Sequence, residues 1–369
     1  MDANYASRGM QAVLVMAVVG LLVGSARAEV LEISAECRAQ VTERVGGEAT
    51  TVDAELQRYP ETTGVLPMRA EAGITNEVDA EIMGLGLCFT QFKDPRSTTS
   101  DVPDELNVDA ATFSGDAALD YEVIGVVVER RSIRPTVAET RLAAGTEVIL
   151  TSDFYVQGLL VAAVVGNEPN ADLTGLLAQV EVTVVHTRAS SAPETVLLAT
   201  YELVGQADGS IKLGTQGVAR AKHVVNLNLS DRVSELEKLR VAILPSVKLS
   251  YEYLTTVGET SELAATLRVR LLSLPDGTGV GAAFGMPGER IGQTVDAVVG
   301  GTAGVDTVRT INEVIAGLPE PAVKFLLEPR MRDLNFLGFL GSLCGLLGAE
   351  AAIGFVFMLG WVCIRARRR

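Results

Sequence analysis

The chain has 369 residues, and its 46 acidic against 31 basic side chains leave a formal net charge of −15. A surface of that sign repels nucleic-acid phosphate and anionic lipid and suits divalent cations or basic partners, which excludes nucleic-acid binding as a role. With only 2 histidines in the whole chain, zinc and Ser-His-Asp chemistry have few candidates to draw on.

Residues 1–28 begin with a short polar start containing Arg8, continue in an apolar run from Val13 to Val23, and end in Ala26-Arg27-Ala28. The run is about 11 residues, against the roughly 20 that cross a bilayer, and the small residues before Glu29 mark a secretory leader cleaved there. The segment after Glu29 alternates strictly: Leu31, Ile33, Ala35, Cys37, Ala39 and Val41 are separated by Glu32, Ser34, Glu36, Arg38 and Gln40. Period two predicts a strand with one buried and one wet face. Cys37 and Cys88 are the only cysteines ahead of the C-terminal apolar segment. In an oxidising compartment they can pair, and closing a loop of about 50 residues would stabilise the fold by roughly 4 kcal/mol in the chain-entropy account. Two separate buried thiols are the other reading.

The most acidic stretch, 93–122, carries Asp101, Asp104, Asp109 and Asp116. Hard carboxylate oxygens on loops suit a structural Ca²⁺, and these four are its candidate ligands; a solvated loop with a short helix over 104–112 is the alternative. Alternation returns at Leu66–Ile74, Ala178–His186 and Leu263–Leu271, and β-branched or aromatic runs occupy 121–131, 147–165, 195–205 and 246–257. Turn signals lie between them at 167–172, 207–210 and 275–279. About ten to twelve strands without intervening helices predict an all-β fold, an antiparallel β-sandwich of jelly-roll type over 29–287. Two smaller sandwiches divided near 135–145 are the alternative.

Within this region His186 ends the row Val180, Val182, Val184, and is expected at the rim of the core with its ring satisfied by backbone. His223, beside Lys222 and Arg220, is expected at the surface, and Asn228 begins a formal Asn-Leu-Ser sequon. Tyr251 and Tyr253 share a strand face, either as a stacking platform for sugar or as cover for the core. Gly277, Gly279, Gly281 and Gly285 look superficially like a phosphate cradle, but Pro287 and Gly288 interrupt the helix start that a cradle needs. A tight turn and bulge is predicted there instead. No HExxH, GxSxG, P-loop, CxxC or EF-hand spacing occurs in the sequence, so no catalytic residue and no cofactor beyond structural Ca²⁺ is assigned.

Beyond Pro287 the period changes. Ile291, Val295 and Val298, then Val308, Ile311, Ile315 and Leu318, recur at helical spacing and predict one or two short helices in a stalk over 288–335. Phe336–Ile364 holds a single charged residue, Glu350, and its length of about 43 Å at roughly 1.5 Å per residue predicts a transmembrane helix. Glu350 is either a partner-binding or proton-relay group or a protonated or snorkelling acid. The basic tail of 365–369, Arg365, Arg367, Arg368 and Arg369, places the C-terminus in the cytoplasm. Setting aside the leader (Asp2 against Arg8 and Arg27) and the tail (Glu350 against four arginines) takes the charge of the outer part from −15 to −19.

Pro319-Glu320-Pro321, followed by a hydrophobic span and the arginine cluster, resembles the tripartite C-terminal signal of PEP-CTERM proteins of bacterial envelopes. It differs in spacing, because about 14 residues separate the motif from the span here. The resemblance implies a sorting protease of the exosortase type as a partner and removal of the anchor. These readings predict a single-pass, exported cell-envelope protein whose acidic domain lies outside the membrane. Its expected role is structural or interactive, with envelope or extracellular-matrix components as partners. An extracellular carbohydrate-binding or polysaccharide-acting module is the alternative.

Overall fold

The computed structural model describes residues 28–54, 57–59, 68–75, 82–91, 105–114, 119–165, 174–189, 191–228, 236–273, 278–285 and 325–331, with Thr294, Val298, Arg309 and Glu313. The leader, the Pro319-Glu320-Pro321 motif, the 336–364 span and the arginine tail lie outside the described residues, as do Asp101, Asp104 and Asp116. No helix among the described residues is long and apolar enough to cross a membrane.

The described chain is all-β, with two antiparallel eight-stranded sheets. Sheet I runs β11 (Ile211–Gly217), β10 (Glu194–Gly205), β9 (Gly175–Arg188), β14 (Ser261–Ser273), β7 (Leu119–Pro135), β1 (Ala28–Val45) and β2 (Glu48–Asp53), with β3 (Gln57–Tyr59) also on β1. Sheet II runs β12 (Val225–Asn228), β13 (Leu236–Thr256), β8 (Glu147–Val165), β15 (Thr278–Phe284), β6 (Glu105–Ser114), β5 (Ile82–Gln91) and β4 (Met68–Thr75), and β16 (Phe325–Met331) lies on β8. A four-residue helix, α1 (Val137–Thr140), turns the chain from β7 to β8. Each sheet takes strands from both sides of α1, and the consecutive strands β14 and β15 enter the middle of the two sheets. β14 lies between β7 and β9, and β15 between β6 and β8.

The alternation of β1 is realised residue by residue: Ile33, Ala35, Cys37, Ala39 and Val41 are buried while the side chains between them are half-buried or exposed. The inner faces of both sheets meet in one core, where Val127, Val182 and Leu267 of sheet I join Phe154, Leu160 and Leu249 of sheet II. β1 also touches β5 across the two sheets, so the strands carrying Cys37 and Cys88 face one another. The side chain of Cys88 lies outside the described ones.

Sheet II departs from the simple two-faced pattern. Leu106–Thr112 on β6, Leu159–Val164 on β8, Val241–Leu244 on β13 and the whole of β15 are buried at consecutive positions, so its centre is covered on both faces. Thr294 and Val298, one helical turn apart, supply part of the outer cover. Val298 is fully buried, and the Thr294 hydroxyl donates to Asp109 Oδ1 at 2.5 Å. The contact runs over glycine. A Cβ on Gly279 would run into the Val298 carbonyl, and one on Gly281 would lie 2.5 Å from Val298 Cγ2.

Two local expectations are corrected by this arrangement. Of the stretch offered as a short helix, residues 105–112 are in strand β6, and of the glycine-rich stretch expected to turn, Thr278–Phe284 is central strand β15. In both, covering the second face removes the polar half of the alternation, and glycine in a strand interior marks close approach of another backbone.

Replacing Gly281 by valine is therefore expected to overpack this contact and cost about 1–3 kcal/mol, measured as a lower urea midpoint. An unchanged midpoint would show that Thr294 and Val298 do not sit there. Thiol labelling of denatured, unreduced protein, mapped on peptides, decides the cysteine pairing. Protection of both Cys37 and Cys88 is expected for a bridge, and reaction of both excludes it.

Candidate functional site

At the α1 end of the interior the apolar rows give way to polar side chains. The register sets His186 on β9 beside Leu263 on β14, and Leu263 beside Arg131 on β7, so His186 and Arg131 stand in one inward row. Glu129, two residues from Arg131 on the same face, is fully buried and accepts from the Arg131 Nε–H. From sheet II, Tyr251 and Tyr253 reach the same interior at 4% and 3% exposure, with Ser152 paired opposite Tyr251. The His186 ring lies 4.8 Å from that of Tyr253, centroid to centroid, and the two tyrosine rings stack at 6.1 Å.

Burial, with the nearby Arg188 charge, pulls the His186 pKa down from 6.5 to about 4, so the imidazole is neutral at pH 7. Burial likewise pushes the Tyr251 and Tyr253 phenols far above their ordinary range. The corner is closed over this cluster. Thr136 and Glu139 form a capping box at the start of α1, Gly258 N–H donates to the Pro135 carbonyl at 2.7 Å, and the Thr255 and Ser261 hydroxyls meet at 3.4 Å. An enclosed cluster of this kind organises the core and does not admit a substrate.

The opposite end is open. A cleft of about 290 Å³ lies between the β10–β11 turn and the start of β13, lined by Asp208, Ser210, Ile211, Asn228, Lys238 and Arg240 among others. Leu244 and Ala242 on β13 belong to the core, and period two puts Arg240 and Lys238 on the same face further out. The apolar row thus ends in two cations. Arg240 Nε is buried with no hydrogen-bond partner among the described residues. Gly209, at φ 71°, brings the turn so close to Lys238 that a Cβ there would strike the ammonium. Asp208 accepts from Ser210 N–H at 2.9 Å and from Ser210 Oγ at 2.5 Å, and these bonds hold its carboxyl below the usual range.

The candidates from sequence fall in different places. Tyr251 and Tyr253 cover the core and form no surface platform. His186 is deeper than a rim position: Tyr253 covers its ring, and its Nε2 has no hydrogen-bond partner among the described residues, where backbone was expected. His223 is half-buried, with Nδ1 3.3 Å from the Tyr201 hydroxyl. Asp109 stands within β6, not on a loop, and Cys37 is buried in its row. No group of three or more His, Cys, Asp or Glu able to hold a metal occurs among the described residues. The buried pair Glu129–Arg131 and the cleft cations Lys238 and Arg240 were not singled out from sequence, although each shares the parity of its inward row.

No protein-family model matches the chain, and no curated protein matches it. Among solved structures, the crystal structure of the infectious bursal disease virus VP2 subviral particle is 9% identical, covers 80% of this chain and 74% of its own, and has a TM-score of 0.12. The structure of the infectious bursal disease virus Gx strain is 10% identical, covers 68% of this chain and 64% of its own, and has a TM-score of 0.10. Superpositions that loose carry no argument about this chain, which stands as an all-β protein of two antiparallel sheets.

Because unfolded His186 takes up its proton near pH 6.5 and folded His186 only near 4, stability is expected to fall as pH drops through that window, by about 3 kcal/mol in all. His186→Phe should flatten that segment of a denaturant-midpoint-against-pH curve. It should leave acid loss below pH 4.5 from Glu122, whose carboxyl resists the effect of burial because Arg270 and Arg44 hold it below its ordinary range. In the same assay Glu129→Leu is expected to cost about 3–5 kcal/mol by stranding Arg131, and adding Arg131→Met should recover most of it.

Proposed function

We propose that the chain is a membrane-anchored, exported cell-envelope protein that displays an acidic, jelly-roll-like β-sandwich outside the membrane and works by structure or interaction, not catalysis. The observation that carries the proposal is the arrangement of the two ends. A leader over 1–28 and an apolar span over 336–364 with an arginine tail bracket a middle of net charge about −19. Repeated passage of the chain between the two sheets supports the jelly-roll description.

The outer face of sheet I supports display in water. It is laced with ion pairs: Arg44 and Arg270 flank Glu122 at 2.5 and 2.6 Å, Arg38 meets Asp53 at 3.3 Å, and Arg130 meets Glu36 at 3.4 Å. The Arg38–Asp53 and Arg130–Glu36 pairs are exposed or half-exposed and contribute about 0–1 kcal/mol each, so they serve solubility and selectivity more than stability, while Glu122 is buried between its two arginines. Envelope or extracellular-matrix components are the partners of this reading, and a sorting protease acting at Pro319-Glu320-Pro321 is a transient one. A Ca²⁺ held by Asp101, Asp104 and Asp116 would be structural.

Protease added outside intact expressing cells is expected to remove the 29–334 region, while the mass of membrane-extracted protein should show loss of residues 1–28. A protected domain or a retained leader would overturn the proposal. The same mass reports whether the C-terminal span has been trimmed.

A further inference from the structure

We infer that the sandwich stands on the bilayer by its α1 end, the corner at α1 resting on a zwitterionic lipid surface and the β1–β2 and β10–β11 turns held farthest out. The inference rests on the reading of 336–364 as a membrane span, and adds to it which face of the domain meets lipid. The two ends of the described body carry it. Ala28, where the leader ends in that reading, pairs with Pro135, and Pro135 directly precedes Thr136, the cap of α1. β16 runs antiparallel along β8 from Phe154 to Leu150, so Met331 leaves the sheet three residues from the start of β8 at Glu147. Ala28 and Met331 therefore emerge at the same end of the sandwich, the end that α1 closes.

The tether to the span is short. Residues 332–335 separate Met331 from Phe336, and five Cα steps reach at most about 18 Å. β1, 18 residues long, sets the far end roughly 55 Å away from Ala28. On such a tether the far end cannot be the one that meets the lipid, and the junction with the leader lies on the near side as well. The corner suits a shallow contact. Val137 is 50% exposed, and Ala138, Ala143 and Ala144 beside it are exposed too, with exposed Arg141 among them for a headgroup phosphate. Exposure alone does not choose the face, because Val45 at the far end is 49% exposed; the chain ends choose it. Glu147 and Glu259, exposed near the same corner, and the net charge of −15 disfavour anionic lipid, which leaves a zwitterionic surface as the partner. In this orientation the closed mouth of the interior faces the membrane and the open cleft faces away from it.

The test is fluorescence quenching of the full chain reconstituted in phosphatidylcholine vesicles. Trp361, the single native indole, reports the span through phosphatidylcholine brominated on its acyl chains. In a Trp361→Phe background, Val137→Trp and Glu48→Trp then report the two ends of the body through phosphatidylcholine with a nitroxide headgroup. Val137→Trp is expected to be quenched at least about twofold more than Glu48→Trp, which the length of the strands keeps out of reach of the headgroups. Ala143→Trp, checked like the others for an unchanged thermal midpoint, takes the place of Val137→Trp if that variant does not fold. Quenching of Trp361 with equal quenching at both ends, or with more at Glu48→Trp, overturns the orientation and leaves the span standing. Trp361 unquenched by the brominated lipid removes the span itself, and the orientation with it.

Discussion

The architecture depends on covering sheet II twice. Its inner face meets sheet I, but Leu159, Val161, Leu239, Val241 and Ile243 point the other way and are buried as well. Leaving them in water would forfeit about 1.5–3 kcal/mol for each large side chain, a loss comparable with the whole stability of an ordinary domain. Thr294 and Val298 are therefore part of the fold, and the glycines of β15 are the surface on which they rest. Asp109 shows how closely the layer fits, because a carboxylate in the middle of a strand is tolerated there with a threonine hydroxyl donating to it.

The two ends of the interior use polarity differently. At the α1 end, Glu129, Arg131, His186 and the two tyrosines are enclosed, and their effect is on specificity of packing and on acid tolerance. At the other end the same inward parity delivers Lys238 and Arg240 into an open cleft. The contrast lies in the turns: a capped helix and tight backbone bonds close one mouth, and a glycine at positive φ holds the other turn against a lysine.

How much was legible in the sequence depends on how many faces each strand has to hide. β1 and β14 hide one, and their rows could be written down from alternation alone. β6 and β15 hide two. Their polar half is missing or buried, so β6 looked like loop or helix and β15 like a glycine turn. The tyrosines of β13 were legible only as a choice between platform and core cover, because period two gives the shared face but not which side is wet. The cleft was beyond reach of the sequence because it joins Asp208 and Arg240 from different sheets. Even so, Arg240 two positions from Ala242 was a visible break in an apolar row.

The placement of β14 and β15 has a consequence for assembly in time. Both central slots stay empty until residues 261–284 have been made, so β7 and β9, and likewise β6 and β8, wait with unpaired edges while most of the chain already exists. Such long-range closure slows folding and favours pairing with the wrong neighbour. A nascent chain of this design gains from being kept from premature pairing until those strands arrive, and truncation before Ser261 leaves both sheets without the strand that joins their halves.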